Sequence, residues 1–455
     1  MKNSFRNLAR YFFALLVLGG LTAAWAYLWL HHYVFEMAHP FYWRGNSLVV
    51  AVYAVIIFFF IKLYGGFRVG YHKWGSVLYS GILSLLITNS ITYLQASLLT
   101  RAMLDVRPML LMSLVQGLFI MGWSLGAHTA YTRLFAPREI LMVYGGKKSA
   151  NSLYHKIATY PENFVIKEAV DVKIGWDKLL DRVEKYKNVI LCDISTSQRN
   201  RLFKFCYEQG IRTYTTPKIS DILMRGATEV DLFDTPLLLN RNSGLLLEQR
   251  FAKRVIDIVL SFIALVVTLP LMLIISLAIK LYDRGPVLYR QKRLTQGHRI
   301  FTLYKFRSMI VDAEKHSGAQ LATENDKRIT PVGRVIRAVR LDELPQLFNI
   351  LLNHMSIVGP RPERPEIARQ YQNTIPEFQY RLRVKAGLTG LAQTVGRYNT
   401  TPYDKLRLDL IYIANYSLLQ DFNLMFATAK ILLTGNKIKK ASGEGKEKIP
   451  ELVVK

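Results

Sequence analysis

The first third of the chain is dominated by long stretches that carry no charged residue. These stretches are Tyr11–Leu30, Gly45–Ile61, Trp74–Thr100 and Pro108–Thr132. A helix needs about 20 mostly apolar residues to cross a bilayer, and three of the four meet this length. The second is shorter, but it can extend past Lys62 if that long side chain reaches back to the interface. The pattern predicts four transmembrane helices within residues 1–137.

Basic residues cluster on one side of these predicted helices. They precede the first helix, lie between the second and third, and follow the fourth: Lys2, Arg6, Arg10, Lys62, Arg68, Lys73, Arg133, Arg138, Lys147 and Lys148. Loops rich in Lys and Arg stay in the cytoplasm. We therefore expect a multi-pass membrane protein with both ends of the bundle on the cytoplasmic side. No small-residue cleavage site follows the first stretch, which argues against a signal peptide.

Residues 138–240 change to alternating short apolar runs and helical patterns. Glu139–Tyr144, Asn188–Ile194 and Ile211–Thr215 are typical of buried strands, and Arg199–Gln209 of a helix. This alternation predicts a small Rossmann-like α/β domain. The Gly145-Gly146 turn lacks the glycine spacing of a dinucleotide site. A structural or regulatory role is the expectation, with nucleotide binding as the alternative.

After a linker at residues 241–254, a fifth apolar segment occupies residues 255–281. It contains Pro270, and basic residues flank it on both sides. A proline removes a backbone hydrogen bond and bends a helix. Two readings remain open from the residues alone: a re-entrant helix whose two ends face the cytoplasm, or a kinked fifth span.

Composition and net charge limit the classes of binding partner. Hydrophobic residues make up 51% of the 455 residues and charged residues 20%, which excludes a disordered chain. The 60 Lys and Arg outnumber the 33 Asp and Glu, giving a net charge of +27. Such an excess favours anionic lipid, phosphorylated substrates or nucleic acid. No nucleic-acid module is recognisable, so we expect no nucleic-acid partner. The basic tail at 436–455 is expected to be attracted to anionic lipid headgroups.

The last third contains a carboxylate pair among many cations. Thr330-Pro331 has the features of a helix start, and a second apolar helical pattern starts near Asp342. Asp342 and Glu343 would then sit at a helix N-terminus, where a mere capping role is the alternative. Basic groups surround them in the sequence: Lys305, Arg307, Arg334, Arg337, Arg340 and Arg361. Carboxylates among phosphate-binding cations are typical of Mg²⁺-assisted phosphoryl transfer.

Four motifs in this region occur together and in a fixed order. They are YKFRSM (304–309), LDELPQLFNIL (341–351), MSIVGPRPERPE (355–366) and KAGLTGLAQ (385–393). Between Arg250 and Gly435 the chain therefore resembles the bacterial sugar transferase family, the polyprenyl-phosphate hexose-1-phosphate transferases. With the four N-terminal spans and the α/β domain, it resembles the long form, as in undecaprenyl-phosphate glucose or galactose phosphotransferases of capsule and exopolysaccharide pathways.

The resemblance implies an enzyme and a reaction. A UDP-sugar gives its sugar-1-phosphate to undecaprenyl phosphate at the cytoplasmic face of the bacterial inner membrane, and UMP is released. In the family, the Asp of the pair forms a covalent phospho-sugar intermediate and the Glu binds Mg²⁺. By position these are Asp342 and Glu343. The phosphate-binding residues are then expected to be Lys305, Arg307, Arg337 and Arg361.

The resemblance also implies a catalytic domain at residues 282–435, anchored by a re-entrant helix that breaks at a Ser-Pro pair. Here Leu269 precedes Pro270 and the nearest hydroxyl is that of Thr268, so the capping of the break differs while the bend is still expected. The alternative function is a non-catalytic membrane receptor or assembly scaffold of polysaccharide synthesis. Oligomeric state is left open, with a homodimer as one possibility, and so is the identity of the sugar.

Overall fold

The computed structural model describes residues 2–71, 73–232, 234–240, 244–311, 326, 328–396 and 400–434. The basic tail lies outside these residues. The described residues divide into two compact units, the first ending at Thr216 and the second starting at Pro217.

Four long helices open the first unit, as the charge-free stretches predict. They are α1 (Lys2–His31), α2 (Trp43–Tyr64), α3 (Trp74–Thr100) and α4 (Val106–Leu134). A 3₁₀ turn at Tyr33–Glu36 follows α1. All four helices are long and apolar enough to cross a membrane. Large aromatic side chains of α1 and α2, such as Trp25 and Tyr53, are fully buried between them.

A ring of polar side chains joins three helices inside this bundle. The hydroxyl of Tyr53 donates to Oδ1 of Asn89 at 3.1 Å, and Gln116 Nε2 donates to the Tyr53 hydroxyl at 2.9 Å. Asn89 Nδ2 closes the ring by donating to Oε1 of Gln116 at 2.9 Å. Because lipid offers no hydrogen-bond partners, such mutual satisfaction fixes the register of the helices.

The rest of the first unit is a small parallel α/β sheet in the order β2-β1-β3-β4. Its strands are β1 (Arg138–Tyr144), β2 (Phe164–Asp171), β3 (Asn188–Cys192) and β4 (Arg212–Thr215). The helices are α5 (Lys147–Ala158), α6 (Trp176–Glu184) and α7 (Thr196–Glu208), with a 3₁₀ turn at Val172–Ile174. The Rossmann-like alternation is confirmed.

Two elements of this sheet domain were not anticipated from the sequence. Strand β2 lies at the edge of the sheet and is only partly buried, so Lys167 and Glu168 interrupt its apolar pattern. Helix α6 follows it and buries Leu179 and Val183. An edge strand needs no continuous apolar run, and this is why the pattern did not reveal it.

The boundary between the units falls earlier than residue 240. Helix α8 (Ile219–Arg225) and the hairpin of β5 (Thr228–Leu232) and β6 (Thr235–Leu239) belong to the second unit. Ile219 and Ile222 of α8 pack against Leu406 and Leu410 of a later helix. Residues 217–240 are thus separate from the sheet that the sequence grouped them with.

The fifth apolar segment forms one helix, α9 (Leu247–Asp283), with Pro270 inside its 37 residues. It begins within the stretch assigned to a linker. The hydroxyl of Thr268 donates to the Ala264 carbonyl at 2.7 Å. The helix continues through Pro270. Its length and hydropathy make it the fifth candidate membrane helix.

The remainder of the second unit is mainly helical around two short sheets. Strands β7 (Leu288–Leu294) and β8 (Ile300–Phe306) form an antiparallel hairpin, and β9 (Ser356–Val358) pairs in parallel with β10 (Gly387–Thr389). The helices are α10 (Pro331–Ala338), α11 (Gln346–Leu351), α12 (Pro365–Thr374), α13 (Leu391–Thr394), α14 (Pro402–Ala414) and α15 (Leu418–Thr434). Further 3₁₀ turns are Gln296–His298, Leu341–Glu343 and Pro376–Arg383.

Two helix starts near the carboxylate pair have different outcomes. Thr330 caps α10 as expected, because its hydroxyl accepts from the Gly333 amide at 2.9 Å and Pro331 opens the helix. The expectation that Asp342 begins an α-helix is wrong. Asp342 and Glu343 lie in a 3₁₀ turn, and α11 starts at Gln346 without a side-chain cap.

Candidate active site

Strand β8 and the turn after α10 bring a lysine to a carboxylate. Lys305 Nζ donates to Oε1 of Glu343 at 2.9 Å, although 38 residues separate them in the chain. Asn349 aligns the two elements: its Nδ2 donates to the Thr302 carbonyl at 2.8 Å, and its Oδ1 accepts from the Tyr304 amide at 2.9 Å. The fully buried Asn349 of the LDELPQLFN motif thus fastens α11 to β8 beside Lys305.

Arg361 contacts the same carboxylate oxygen as Lys305. Its NH2 donates to Oε1 of Glu343 at 3.2 Å, and its NH1 donates to Oε1 of Gln393 at 3.1 Å. The Glu343 side chain is 13% exposed, whereas that of Arg361 is 44% exposed. The guanidinium therefore forms the open side of the site, where an incoming anion can meet it.

Arg361 lies in the loop GPRP (359–362). Three glycines pack closely at this loop: Gly359, Gly387 and Gly390. A Cβ on Gly387 would lie 2.0 Å from the amide nitrogen of Gly359, and one on Gly390 would lie 2.1 Å from the Gly359 carbonyl oxygen. Neither position has room for a side chain. The close approach of the MSIVGPRP and KAGLTGLAQ segments explains these glycines, and it delivers Arg361 and Gln393 to one place.

The two adjacent carboxylates have different environments. Burial alone would raise the pKa of Glu343, but the positive charges of Arg361 and Lys305 outweigh it and hold that pKa at about 2. Burial raises the pKa of Asp342, and the charge of Lys305 offsets this only in part. An environment that separates two neighbouring carboxyl groups in this way suits two different chemical roles.

Asp342 also differs from Glu343 in its contacts. Among the described residues, no side chain or backbone group forms a hydrogen bond or ion pair with the Asp342 carboxylate. Burial raises the pKa of Asp342, and the charges of Lys305 and of Arg337, at the end of α10, oppose this rise without cancelling it. Asp342 thus lies among cations, and within the described part of the chain its oxygens form no bond of their own. Its ionisation is helped by these cations and not by the helix N-terminus at which the sequence pattern placed it.

Arg307 does not join this group. Its guanidinium forms an ion pair with Asp283 at the end of α9, and its side chain is 7% exposed. The Asp283 carboxylate also accepts from the Gly285 amide at 3.2 Å. The structure therefore brings Lys305, Asp342, Glu343 and Arg361 together, with the charge of Arg337 acting on Asp342. Arg307, directly after β8, instead pairs with the end of α9.

The residues present fit a magnesium ion in part. Among the described residues there is no cluster of three or more His, Cys, Asp or Glu side chains. Mg²⁺, however, is commonly bound through one or two carboxylates, with water and substrate phosphates as its other ligands. Adjacent carboxylates beside phosphate-type cations match that donor set. Glu343, with Asp342 beside it, would be the protein ligand.

Gln393 was not anticipated as a site residue. It is the last residue of the KAGLTGLAQ motif, so its position in that motif was the available signal. Arg381 and Arg293 were also not singled out, although both bond the backbone of the Arg361 loop. Single arginines far apart in the sequence carry no pattern that would connect them to this loop.

Comparison with known proteins agrees with the motifs. The sequence model described as "Bacterial sugar transferase" matches residues 248–435. The chain is 39% identical over 193 residues to the "Exopolysaccharide production protein PSS" of Rhizobium leguminosarum bv. phaseoli, covering 41% of this chain and 96% of that protein.

Two further relatives have names that state a reaction. The chain is 45% identical over 188 residues to the "UDP-N-acetylgalactosamine-undecaprenyl-phosphate N-acetylgalactosaminephosphotransferase" of Aeromonas hydrophila, covering 41% of this chain and 44% of that protein. It is 39% identical over 210 residues to the "UDP-glucose:undecaprenyl-phosphate glucose-1-phosphate transferase" of Klebsiella pneumoniae, covering 45% and 43%. The chain thus spans less than half the length of these two relatives.

The fold and the site define a multi-pass membrane protein whose C-terminal unit holds a carboxylate pair among phosphate-type cations. The Rhizobium protein is matched over almost its whole length, so the match is not limited to a short motif. The chain belongs to the bacterial sugar transferase family.

Proposed function

We propose that this protein transfers a sugar-1-phosphate from a UDP-sugar to undecaprenyl phosphate and releases UMP, as the first step of exopolysaccharide or capsule assembly. One observation carries the proposal. The Asp342 carboxylate forms no hydrogen bond or ion pair with another described residue, while the adjacent Glu343 is bonded to Lys305 and Arg361. The names of the Aeromonas and Klebsiella relatives support this substrate pair.

The reaction proceeds in two transfers. In the first, an Asp342 carboxylate oxygen attacks the phosphorus attached to the sugar, the bridging P–O bond breaks, and UMP leaves with the bonding electrons. In the second, a phosphate oxygen of undecaprenyl phosphate attacks the same phosphorus and returns Asp342 to its carboxylate form. A covalent intermediate allows a water-soluble donor and a membrane-embedded acceptor to react one after the other.

The cations supply most of the rate acceleration in this account. Phosphoryl transfer depends on positioning and on neutralising the charge of the transferred group. Arg361 and Lys305 both contact Glu343, and the charges of Lys305 and Arg337 act on Asp342. When bound, Mg²⁺ supplies further neutralisation of the phosphate oxygens. Glu343 would hold it, and Arg361 and Lys305 keep Glu343 ionised for that purpose.

Contacts of α9 support a re-entrant arrangement with both helix ends on the cytoplasmic side. Near its start, Lys253 Nζ lies 2.5 Å from Oδ2 of Asp421, and near its end Ile279 packs with Phe306 and Ile336. Lys253 and Ile279 are separated by about 39 Å of helix at 1.5 Å per residue. The hydrocarbon core is only about 30 Å thick. Both of these positions contact the C-terminal unit. If α9 crossed the bilayer as a simple span, that polar unit would have to extend through the bilayer with it.

Polar contacts along α9 strengthen this argument. Arg254 donates to the carbonyls of Ile350 and Leu351 at 2.7 and 2.9 Å, and Asp257 Oδ1 accepts from Ser356 Oγ at 3.1 Å. The opposite faces expose large apolar side chains, including Phe262 and Ile274. A helix that packs one face on its own domain and presents the others to lipid can anchor that domain to one leaflet.

The proposal is tested by UMP release. Purified protein in detergent is incubated with undecaprenyl phosphate, Mg²⁺ and one of several UDP-sugars, with UDP-glucose, UDP-galactose and UDP-N-acetylgalactosamine first. We expect UMP and a lipid-linked sugar diphosphate with at least one donor. Without undecaprenyl phosphate, we expect no multiple-turnover release of UMP and no lipid-linked product. A purified, folded protein that releases UMP from no donor in such a panel would favour the scaffold alternative.

A further inference from the structure

The loop that carries Arg361 has an unusual pattern of backbone hydrogen bonds. Four consecutive carbonyls, those of residues 360–363, each accept a hydrogen bond from a different part of the unit. The Gly387 amide donates to the Pro360 carbonyl at 2.9 Å, and the Leu294 amide donates to the Glu363 carbonyl at 3.0 Å. The two carbonyls between them are bonded by arginine side chains: Arg381 NH2 to Arg361 at 2.9 Å and Arg293 NH1 to Pro362 at 2.9 Å.

The sequence of the loop makes side-chain donors necessary. Pro360 and Pro362 flank Arg361, and proline has no backbone N–H and a fixed φ. This segment therefore cannot be held by a regular strand ladder on both of its edges. An arginine fork, which has five donors in a planar arrangement, can bond a carbonyl and a carboxylate at once.

Arg381 has the contacts of such a fork. Its side chain is 5% exposed, and NH2 lies 2.7 Å from Oδ2 of Asp409 on α14 as well as 2.9 Å from the Arg361 carbonyl. NH1 lies 3.5 Å from Oε1 of Glu363, which closes the loop on the other side of Arg361. The buried Asp409 thus fixes Arg381, and Arg381 fixes the backbone of the residue whose side chain meets Glu343.

We propose that Arg381 is a positioning residue that sets the Arg361 side chain against the transferred phosphate, with Arg293 doing the same from the neighbouring carbonyl. The inference rests on the proposed function, since Arg361 matters in this way only if it meets a phosphate. Arg381 touches no substrate in this account. Its effect on the reaction passes through Arg361 alone.

The test is a double-mutant cycle on turnover. Arg381→Lys keeps a positive charge for Asp409 but lacks the planar guanidinium whose NH2 donates to the Arg361 carbonyl while forming the ion pair with Asp409. In the parent background we expect it to lower kcat/KM for the UDP-sugar about tenfold. In an Arg361→Ala background we expect a change of less than about twofold, because interactions that act through one residue are not additive. Arg369→Lys, on the exposed face of α12, is the matched control and should change neither.

Each outcome of the cycle decides the matter. A loss of the same size in both backgrounds would overturn the positioning role and indicate a general structural effect. An unchanged rate for Arg381→Lys in the parent background would overturn it as well. If Arg361→Ala itself retained full activity, the proposed phosphate role of Arg361 would be wrong. That result is distinct from one in which Arg361 matters but Arg381 does not act through it. Should Arg381→Lys fail to fold, Arg293→Lys takes its place in the same cycle with the same expectation.

Discussion

Asp342 and Glu343 are adjacent in one 3₁₀ turn, yet only Glu343 is held by its neighbours. Two cations share its Oε1 atom, while the Asp342 oxygens form no hydrogen bond or ion pair with any other described residue. A carboxylate that two cations fix through one oxygen and keep ionised is suited to hold a metal ion in place. One that is surrounded by positive charge but not bonded to it is suited to attack phosphorus. The roles proposed for the two residues rest on this difference.

The first prediction concerns Arg361. Its NH1 and NH2 nitrogens contact two different residues, Gln393 and Glu343. A lysine cannot reproduce this geometry. Arg361→Ala should lower kcat/KM for the UDP-sugar about ten- to a hundredfold, since one charge-assisted contact is worth about 1.5–3 kcal/mol. Arg361→Lys should already be clearly impaired. Initial rates at subsaturating donor measure both effects. An Arg361→Ala protein that is as fast as the parent would contradict the phosphate-binding role of Arg361.

The second prediction concerns Asn349. Replacing it by Leu leaves the Thr302 carbonyl and the Tyr304 amide without partners in a buried place. Each unsatisfied group costs about 1–3 kcal/mol, so the melting temperature should fall by several degrees. The rate of the folded fraction should fall too, because β8 carries Lys305. The exposed Asn373, changed to Ala, is the control. A stable and fully active Asn349→Leu protein would refute the alignment role.

The third prediction concerns topology. A cysteine at Pro286, just after α9, should be protected from a membrane-impermeant thiol reagent in intact cells, because both ends of α9 are proposed to face the cytoplasm. A cysteine at His39, between the first two helices, should be labelled from outside. The native Cys192 and Cys206 are buried and give little background. External labelling of Pro286→Cys that equals His39→Cys would establish a fifth span.

The fourth prediction concerns the pH dependence of stability. Burial raises the pKa of Asp409 from 3.8 to about 6, although the charge of Arg381 opposes this and that of Glu363 adds to it. The folded state then binds this proton more tightly than the unfolded chain. The contribution of Asp409 to stability is fully present below about pH 4 and is lost as the pH rises through about 6, by on the order of 3 kcal/mol.

Asp409→Asn removes this titration. The melting temperature of the parent relative to the variant should therefore be higher at pH 4.5 than at pH 7.5, with both proteins in the same detergent. Because every other titrating group is shared, the difference isolates Asp409. A parent-minus-variant difference that is constant over this range would mean that Asp409 is ionised throughout.

Much of this protein could be predicted from its sequence because the strongest signals are long or dense. Charge-free stretches located α1 to α4, and the motif containing Asp342 indicated the family. What the pattern missed depends on contacts between distant residues. Edge strand β2 carries charges because one side of it is open. Arg307 resembles its neighbour Lys305 in the sequence, but the nearby end of α9 provides Asp283 as its partner.

The most direct test of the account is covalent labelling by a UDP-sugar that is radiolabelled in the sugar. In the absence of lipid acceptor, the parent protein should retain label through denaturation and release it when undecaprenyl phosphate is added. Glu343→Gln should label weakly, and Asp342→Asn should not label at all while melting like the parent. Label retained by Asp342→Asn, or kinetics that require donor and lipid to be bound together, would contradict the proposal that Asp342 is the nucleophile.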